Sequence, residues 1–219
     1  MKYLFVIYTD IEYKKHLDNF KTQEFYKQIC NDPNIEVMEW GSDFHTDYKD
    51  LPIKTQEMMK WCSENKAYDY LIKCDDTIFD EKWSFYRPKL TYENIFVNGR
   101  DGNCYACPSY GYGEGGKWIG YEDSWIVVGK DTNEDYWGIH HLQLEDIDWP
   151  RYFDEHYDYK IDYNLNLIKT DIQYYEGKYF MVSKNLSIFI GEQEKFAKDF
   201  TKNMPGVEDL MVGYLAELF

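Results

Sequence analysis

The sequence predicts an α/β fold built on a Rossmann-like half domain, on three observations. Apolar runs of strand length stand at "KYLFVIYT", "NIEVMEW" and "YDYLIKC". Segments with helically spaced apolar residues separate them, and the first and third runs end directly on acidic residues. Strand, helix, strand, helix, strand is the alternation that yields neighbouring parallel strands covered by helices.

The first run starts at once and stops at Asp10, as a buried strand of a parallel sheet does. In "EYKKHLDNFKTQEFYKQIC", Tyr13, Leu17, Phe20, Phe25 and Ile29 recur at roughly helical spacing, which predicts helix across the segment. After the second strand, "PIKTQEMMKWCSENK" predicts a helix starting near Pro52, since proline is tolerated in a first turn. The third run is apolar enough for burial on both faces and ends on "DD". Ligands of such sheets sit outside the carboxyl ends of the strands, so Thr9, Asp10, Asp75 and Asp76 are expected on one rim.

The middle differs in kind. Residues 99–124 are rich in glycine and poor in aliphatics, predicting loops and short antiparallel strands with "WIVVG" as one strand. The cluster "GYGEGG" lacks the GK[ST] ending and the preceding buried strand of a phosphate loop. Residues 131–165, acidic and aromatic, give no clear pattern. Order returns with "YYEGKYFMVSKNLSIFI", a strand or turn followed by a helix that Ser183 can cap. "VEDLMVGYLAELF" then predicts a last helix with Glu208 and Asp209 in its first turn, where the positive helix end favours carboxylates. With no internal repeat and no low-complexity linker, residues 1–219 are expected to form a single domain. The sequence ends inside that last helix, so the domain is expected to be the N-terminal module of a longer chain.

A formal charge of −16 excludes binding to nucleic acid or anionic membrane through the average field. No run reaches the roughly 20 apolar residues of a membrane span. The five cysteines, Cys30, Cys62, Cys74, Cys104 and Cys107, are odd in number, and with no secretory leader they point to a reducing, cytoplasmic setting. "CYAC" at 104–107 has no second pair to complete a zinc site. Aromatics make up 19% of the chain, which supplies platforms for sugars or bases.

Two carboxylate pairs stand out, Asp75/Asp76 and Glu208/Asp209. Adjacent carboxylates concentrate charge that Mg²⁺ or Mn²⁺ neutralises with one or two protein ligands, completing its shell with substrate phosphates. A nucleotide diphosphate is the natural partner. A solvated turn accounts for the first pair equally well, and ordinary capping for the second.

The segment "DYKDLPIKTQEMMKWCSENKAYDYLIKCDDTIF" resembles the β-1,3-galactosyltransferase and fringe-type glycosyltransferases, which read D-x-Y-x-N-L-T-x-K-T, a helix ending in W and C, then K-x-D-D-D-x-F. "YYEGKYFMVSKNL" resembles that family's Y-x-S-G-x-G-Y-V-x-S, with Gly177 and Ser183 in register, and "VEDLMVG" its E-D-V-x-x-G. The likeness covers roughly residues 1–80 and 170–219 and implies a GT-A fold, a central mixed, mainly parallel sheet flanked by helices. It divides the chain into a nucleotide-binding half, 1–80, and an acceptor-side half, 81–219. It implies a hexosyltransferase that moves a sugar from a UDP-sugar to a glycan or glycoprotein, with Mn²⁺ or Mg²⁺. Position by position, Asp75 and Asp76 belong to the metal motif, with Asp76 preferred as the direct ligand and Asp75 also near the donor. Asp209 matches the general base, with Glu208 beside it. Lys54, Thr9 and Asp10 fall where the donor nucleotide is held. Trp118, Trp125 and Trp137 are candidates to stack on acceptor sugar.

Departures accompany the likeness. Thr77 stands where the family has its third acid, Tyr179 where it has a second glycine, and no histidine follows residue 156 to supply the late metal ligand. That ligand is lost, lies beyond residue 219, or is replaced by His140 or His141. The Golgi members carry a membrane anchor. Anchorless members occur among large algal (chlorella) viruses, and the chain is similar to the catalytic module of such an enzyme, acting in host cytoplasm. Placement of the base opposite the leaving diphosphate implies inversion. A degenerate, noncatalytic carbohydrate-binding module and a sugar nucleotidyltransferase are the alternatives.

Overall fold

The computed structural model describes residues 1–80, Tyr92, strand segments 105–112, 118–130 and 136–140, and residues 175–219. Seven strands form one sheet: β1 Tyr3–Tyr8, β2 Ile35–Trp40, β3 Tyr70–Asp75, β4 Tyr105–Tyr112, β5 Trp118–Lys130, β6 Tyr136–His140 and β7 Tyr175–Ser183. Their order is β2-β1-β3-β7-β6-β5-β4. β1 pairs in parallel with both β2 and β3, whereas β7 runs antiparallel to β3. The sheet is therefore mixed, and the α/β class expected from the sequence stands. β5 is longer than the short strands expected there, spanning 13 residues.

Helices cover both faces of the part built from β1, β2, β3 and β7. They are α1 Lys14–Thr22, α2 Glu24–Asn31, α3 Leu51–Asn65, α4 Lys184–Gly191, α5 Glu194–Asn203 and α6 Glu208–Leu218. The alternation of β1 shows why both faces are apolar. Tyr3, Phe5 and Ile7 join Leu17, Phe20, Phe25 and Ile29 of α1 and α2 on one side. Leu4, Val6 and Tyr8 join Met58, Met59, Leu186, Phe200, Met211 and Leu215 of α3, α4, α5 and α6 on the other. Each fully buried side chain of this size contributes roughly 1.5–3 kcal/mol relative to exposure.

Where the periodicity suggested unbroken helix over residues 12–30, the chain makes two helices hinged at Gln23, whose backbone is extended with φ −70° and ψ 146°. The Gln23 N–H closes α1 on the Phe20 carbonyl, and its side-chain amide donates to Asn19. Pro52 sits in the first turn of α3, and Ser183 caps α4 by accepting from the Leu186 N–H at 3.1 Å, both as expected. Among the described residues no helix is long and apolar enough to cross a membrane.

Candidate functional site at the carboxyl ends of β1 and β3

Parallel pairing sets Tyr8 of β1 opposite Asp75 of β3, so both strands end at the same height. Thr9 and Asp76 follow directly, and the Thr9 hydroxyl donates to Asp76 Oδ2 at 2.6 Å. Asp76 opens a 3₁₀ turn, Asp76–Phe79, whose Ile78 and Phe79 are buried. Asp80, next in the chain, pairs with His16 at 2.5 Å and accepts from Asn19, anchoring the turn to α1. Of the four residues expected on this rim, Thr9 and Asp76 are thus hydrogen-bonded to one another.

Lys73 lies beneath this rim. It occupies the middle of β3 between Val6 and Phe180 and is fully buried. Its ammonium donates to Asp75 Oδ1 at 2.6 Å, to Glu208 Oε1 at 3.2 Å and to the Gly177 carbonyl. It also lies 4.3 Å from the centre of the Tyr8 ring. Burial opposes its charge, but Asp75 and Glu208 outweigh burial and hold the ammonium well above the ordinary lysine value. An isolated buried ammonium would be prohibitively costly, so these partners are what permit it. The sequence reading missed this role, although a lysine inside the run "YLIKC" was its signal.

Glu208 and Asp209 open α6 next to Gly177 of β7. Asp209 accepts from the Gly177 N–H at 3.2 Å and from the Leu210 N–H at 2.8 Å. Burial, with the adjacent Glu208 charge, pushes the Asp209 carboxyl up to about 8. A Cβ at Gly177 would come within 2.6 Å of Glu208 Oε1 and 3.7 Å of Asp209 Cβ, so the close approach of strand to helix requires glycine. The two carboxylate pairs, distant in sequence, meet through Lys73.

Asp75 and Asp76 are not equivalent. Burial alone would raise Asp75, but Lys73 and Lys178 outweigh it and hold the carboxyl below its ordinary value. Lys178, on β7, lies 3.4 Å from Asp75 Oδ2 and donates to the Thr77 hydroxyl at 2.8 Å. Asp76 is pushed up to about 6 by burial and by the Asp75 charge, against the Thr9 hydroxyl, which favours ionisation. A carboxylate short of compensating charge suits a hard cation, which needs only one or two protein carboxylates when substrate oxygens complete its shell. Asp76 therefore fits the metal role better than Asp75.

Lys54 of α3 is buried, donates to the Thr9 carbonyl at 2.5 Å and stands 4.4 Å from the Tyr8 ring centre. Burial lowers its ammonium below the ordinary lysine value, with Asp10, Asp75 and Asp76 opposing. The ring of Tyr8 is thus flanked by two ammonium groups, a cation–π arrangement on an aromatic whose hydroxyl is within 2.9 Å of Thr55 Oγ1.

Asp10 takes a different part. Its Oδ1 accepts from the Glu12 N–H at 3.0 Å and faces His45 Nδ1 at 3.0 Å, and its Oδ2 accepts from the Thr46 N–H at 2.7 Å. These bonds outweigh burial and keep its carboxyl below the ordinary value. It fastens the segment after β2 to the end of β1. Asp10, Glu12 and His45 are the one group of three potential ligand residues among the described residues, with ligand atoms within 4.8 Å of one another. Asp10 already uses both oxygens there.

The stacking roles expected of Trp118, Trp125 and Trp137, the ligand role open to His140 or His141, and the "CYAC" pair concern side chains outside the described residues. Among the described residues, Cys30, Cys62 and Cys74 are free thiols. Compared with known proteins, the chain matches no protein-family model and no curated protein.

Proposed function

We propose that the chain is a GT-A glycosyltransferase that moves a sugar from a UDP-sugar to a glycan or glycoprotein acceptor, with inversion and with a divalent cation. The observation that carries this reading is the junction at Lys73, where the acidic turn after β3 and the acidic start of α6 share one buried ammonium. The three sequence blocks of the glycosyltransferase resemblance supply the residues of this junction.

Under this reading Asp76, with Asp75 beside it, holds Mn²⁺ or Mg²⁺, and Thr9 orients the Asp76 carboxylate. The cation supplies charge neutralisation for the leaving diphosphate. Thr9, Asp10 and Lys54 shape the donor side. Asp209, positioned by the Gly177 N–H, accepts the proton of the acceptor hydroxyl; Glu208 stays paired with Lys73 and keeps a negative charge beside the base. With its carboxyl pushed up to about 8, only the ionised fraction of Asp209 can accept that proton, so transfer is expected to rise with pH up to about 8. Calorimetric titration with UDP, with and without Mn²⁺, tests the reading. Metal-dependent UDP binding is expected, and its absence overturns the proposal.

A second reading, a degenerate carbohydrate-binding module, has one observation in its favour. Thr77 replaces an acid, and Lys178 bonds to that hydroxyl while facing Asp75. Glycan binding without any metal-dependent nucleotide affinity would establish it.

A further inference from the structure

Two lysines face Asp75, and they differ in kind. Lys73 has no exposed side-chain surface and three bonding partners, so it belongs to the folded framework. Lys178 is 22% exposed, reaches the turn from β7 on a flexible stem, and touches Asp75 Oδ2 and the Thr77 hydroxyl from the other side. An acid at position 77 would give the turn from Asp75 to residue 77 three formal charges. Threonine there leaves two, those of Asp75 and Asp76, and a lysine is already set against Asp75. A hydroxyl donates and accepts, so Thr77 serves an ammonium without adding charge, whereas it is a weak ligand for a hard dication.

We propose that Lys178 is an exchangeable internal cation of the acidic turn, competing with a divalent metal ion for Asp75 next to the Asp76 ligand and thereby setting the metal affinity of the site. A divalent ion must drive the ammonium away from Asp75 or sit beside it against repulsion. Either route weakens metal binding in the absence of a phosphate ligand. When a diphosphate arrives, the displaced ammonium has a partner of opposite charge, so metal and nucleotide are expected to bind together more strongly than either alone. The inference rests on the metal of the proposed reading and is independent of the transfer step.

Electron paramagnetic resonance of free Mn²⁺ tests it without nucleotide or turnover. Lys178→Met removes the charge while keeping the stem, and is expected to raise Mn²⁺ affinity about tenfold or more, given a unit charge within a few ångströms of the ligands. Lys178→Arg should remain close to the parent chain. Thr77→Asp, which adds an acid under the same lysine, should also raise Mn²⁺ affinity. With UDP present, the gain from Lys178→Met should shrink, because the displaced ammonium of the parent chain then has a phosphate to face. Equal Mn²⁺ affinity in the parent and Lys178→Met chains overturns this inference and leaves the glycosyltransferase reading standing. No Mn²⁺ binding by the parent, Lys178→Met or Thr77→Asp chains, with UDP present as well as without it, overturns both.

Discussion

Lys73 and Glu208 lie 3.2 Å apart across 135 residues of sequence, and their pairing joins the third strand to the last helix. The bond makes one electrostatic unit of Asp75, Glu208 and the Gly177 carbonyl.

Removing the shared cation should therefore cost more than an ordinary core substitution. Lys73→Met keeps most of the volume beside Phe180 but leaves Glu208 buried without its partner. Breaking a buried pair from one side costs about 3–5 kcal/mol. Lys73→Met/Glu208→Gln should recover a large part of that loss, since no uncompensated charge then stays at the start of the helix. Urea unfolding of the two variants checks this. Equal stability of single and double variants would mean that Glu208 reaches solvent on its own.

The raised Asp209 carboxyl gives a pH dependence of definite sign. Its folded value of about 8 lies above the ordinary carboxylate value, so the folded chain binds this proton more tightly than the unfolded chain. The contribution is complete below about pH 4, the unfolded value, and is lost as pH rises through about 8. Asp75, held below its ordinary value by Lys73 and Lys178, acts in the opposite sense and destabilises the fold as pH falls below about 4. Asp209→Asn should flatten the loss of stability between about pH 4 and 8, with a gain at about pH 8 and above of roughly 2 kcal/mol after allowing for partial exposure. Thermal melts across that range measure it. The same variant should abolish sugar transfer and leave UDP affinity intact.

Much of this site was legible because strand ends can be read locally. "KYLFVIYT" and "YDYLIKC" are continuous apolar runs, and a polar residue after each marks where the sheet stops, so Thr9, Asp10, Asp75 and Asp76 fell on one rim. The partners were not legible. Nothing around Lys73 indicates that its counter-charge comes from Glu208, because long-range pairing leaves no local pattern. Asp10 was expected where the donor nucleotide is held, and its hydrogen bonds to His45 and Thr46, some 35 residues on, left no trace in the sequence around it. The hinge at Gln23 did leave a trace. The step from Phe20 to Phe25 is five residues, too long for one helical face, and the chain spends the surplus on an extended residue.

Gly177 provides a test of geometry with no change of charge. An added methyl would overlap Glu208 Oε1, which Lys73 prevents from swinging aside. Gly177→Ala should cost about 1–3 kcal/mol, as overpacking of a tight interior does. Its second effect is to displace Asp209 from the Gly177 N–H, so turnover should fall more than UDP affinity. A variant with unchanged turnover would show that the base is positioned without this contact.

Gly41 tests the donor side separately from the acids. It has φ +100°, a conformation that side chains rarely adopt, and a Cβ there would lie 2.1 Å from the Thr9 carbonyl oxygen and 2.7 Å from Lys54 Nζ. Backbone strain of this type costs about 1–3 kcal/mol, and the overlap with a carbonyl adds to it because backbone cannot rotate away. Relief requires the segment after β2 to move off β1, which breaks the bond from Lys54 to Thr9 and shifts the Thr9 hydroxyl that holds Asp76. Gly41→Ala should therefore weaken UDP binding at saturating Mn²⁺ while leaving the Gly177, Lys73 and Glu208 junction intact. Lys54→Met should weaken UDP binding without the loss of stability. If both variants bind UDP as the parent chain does, the nucleotide lies away from the β1 end, and Thr9 and Lys54 serve only to hold the loop.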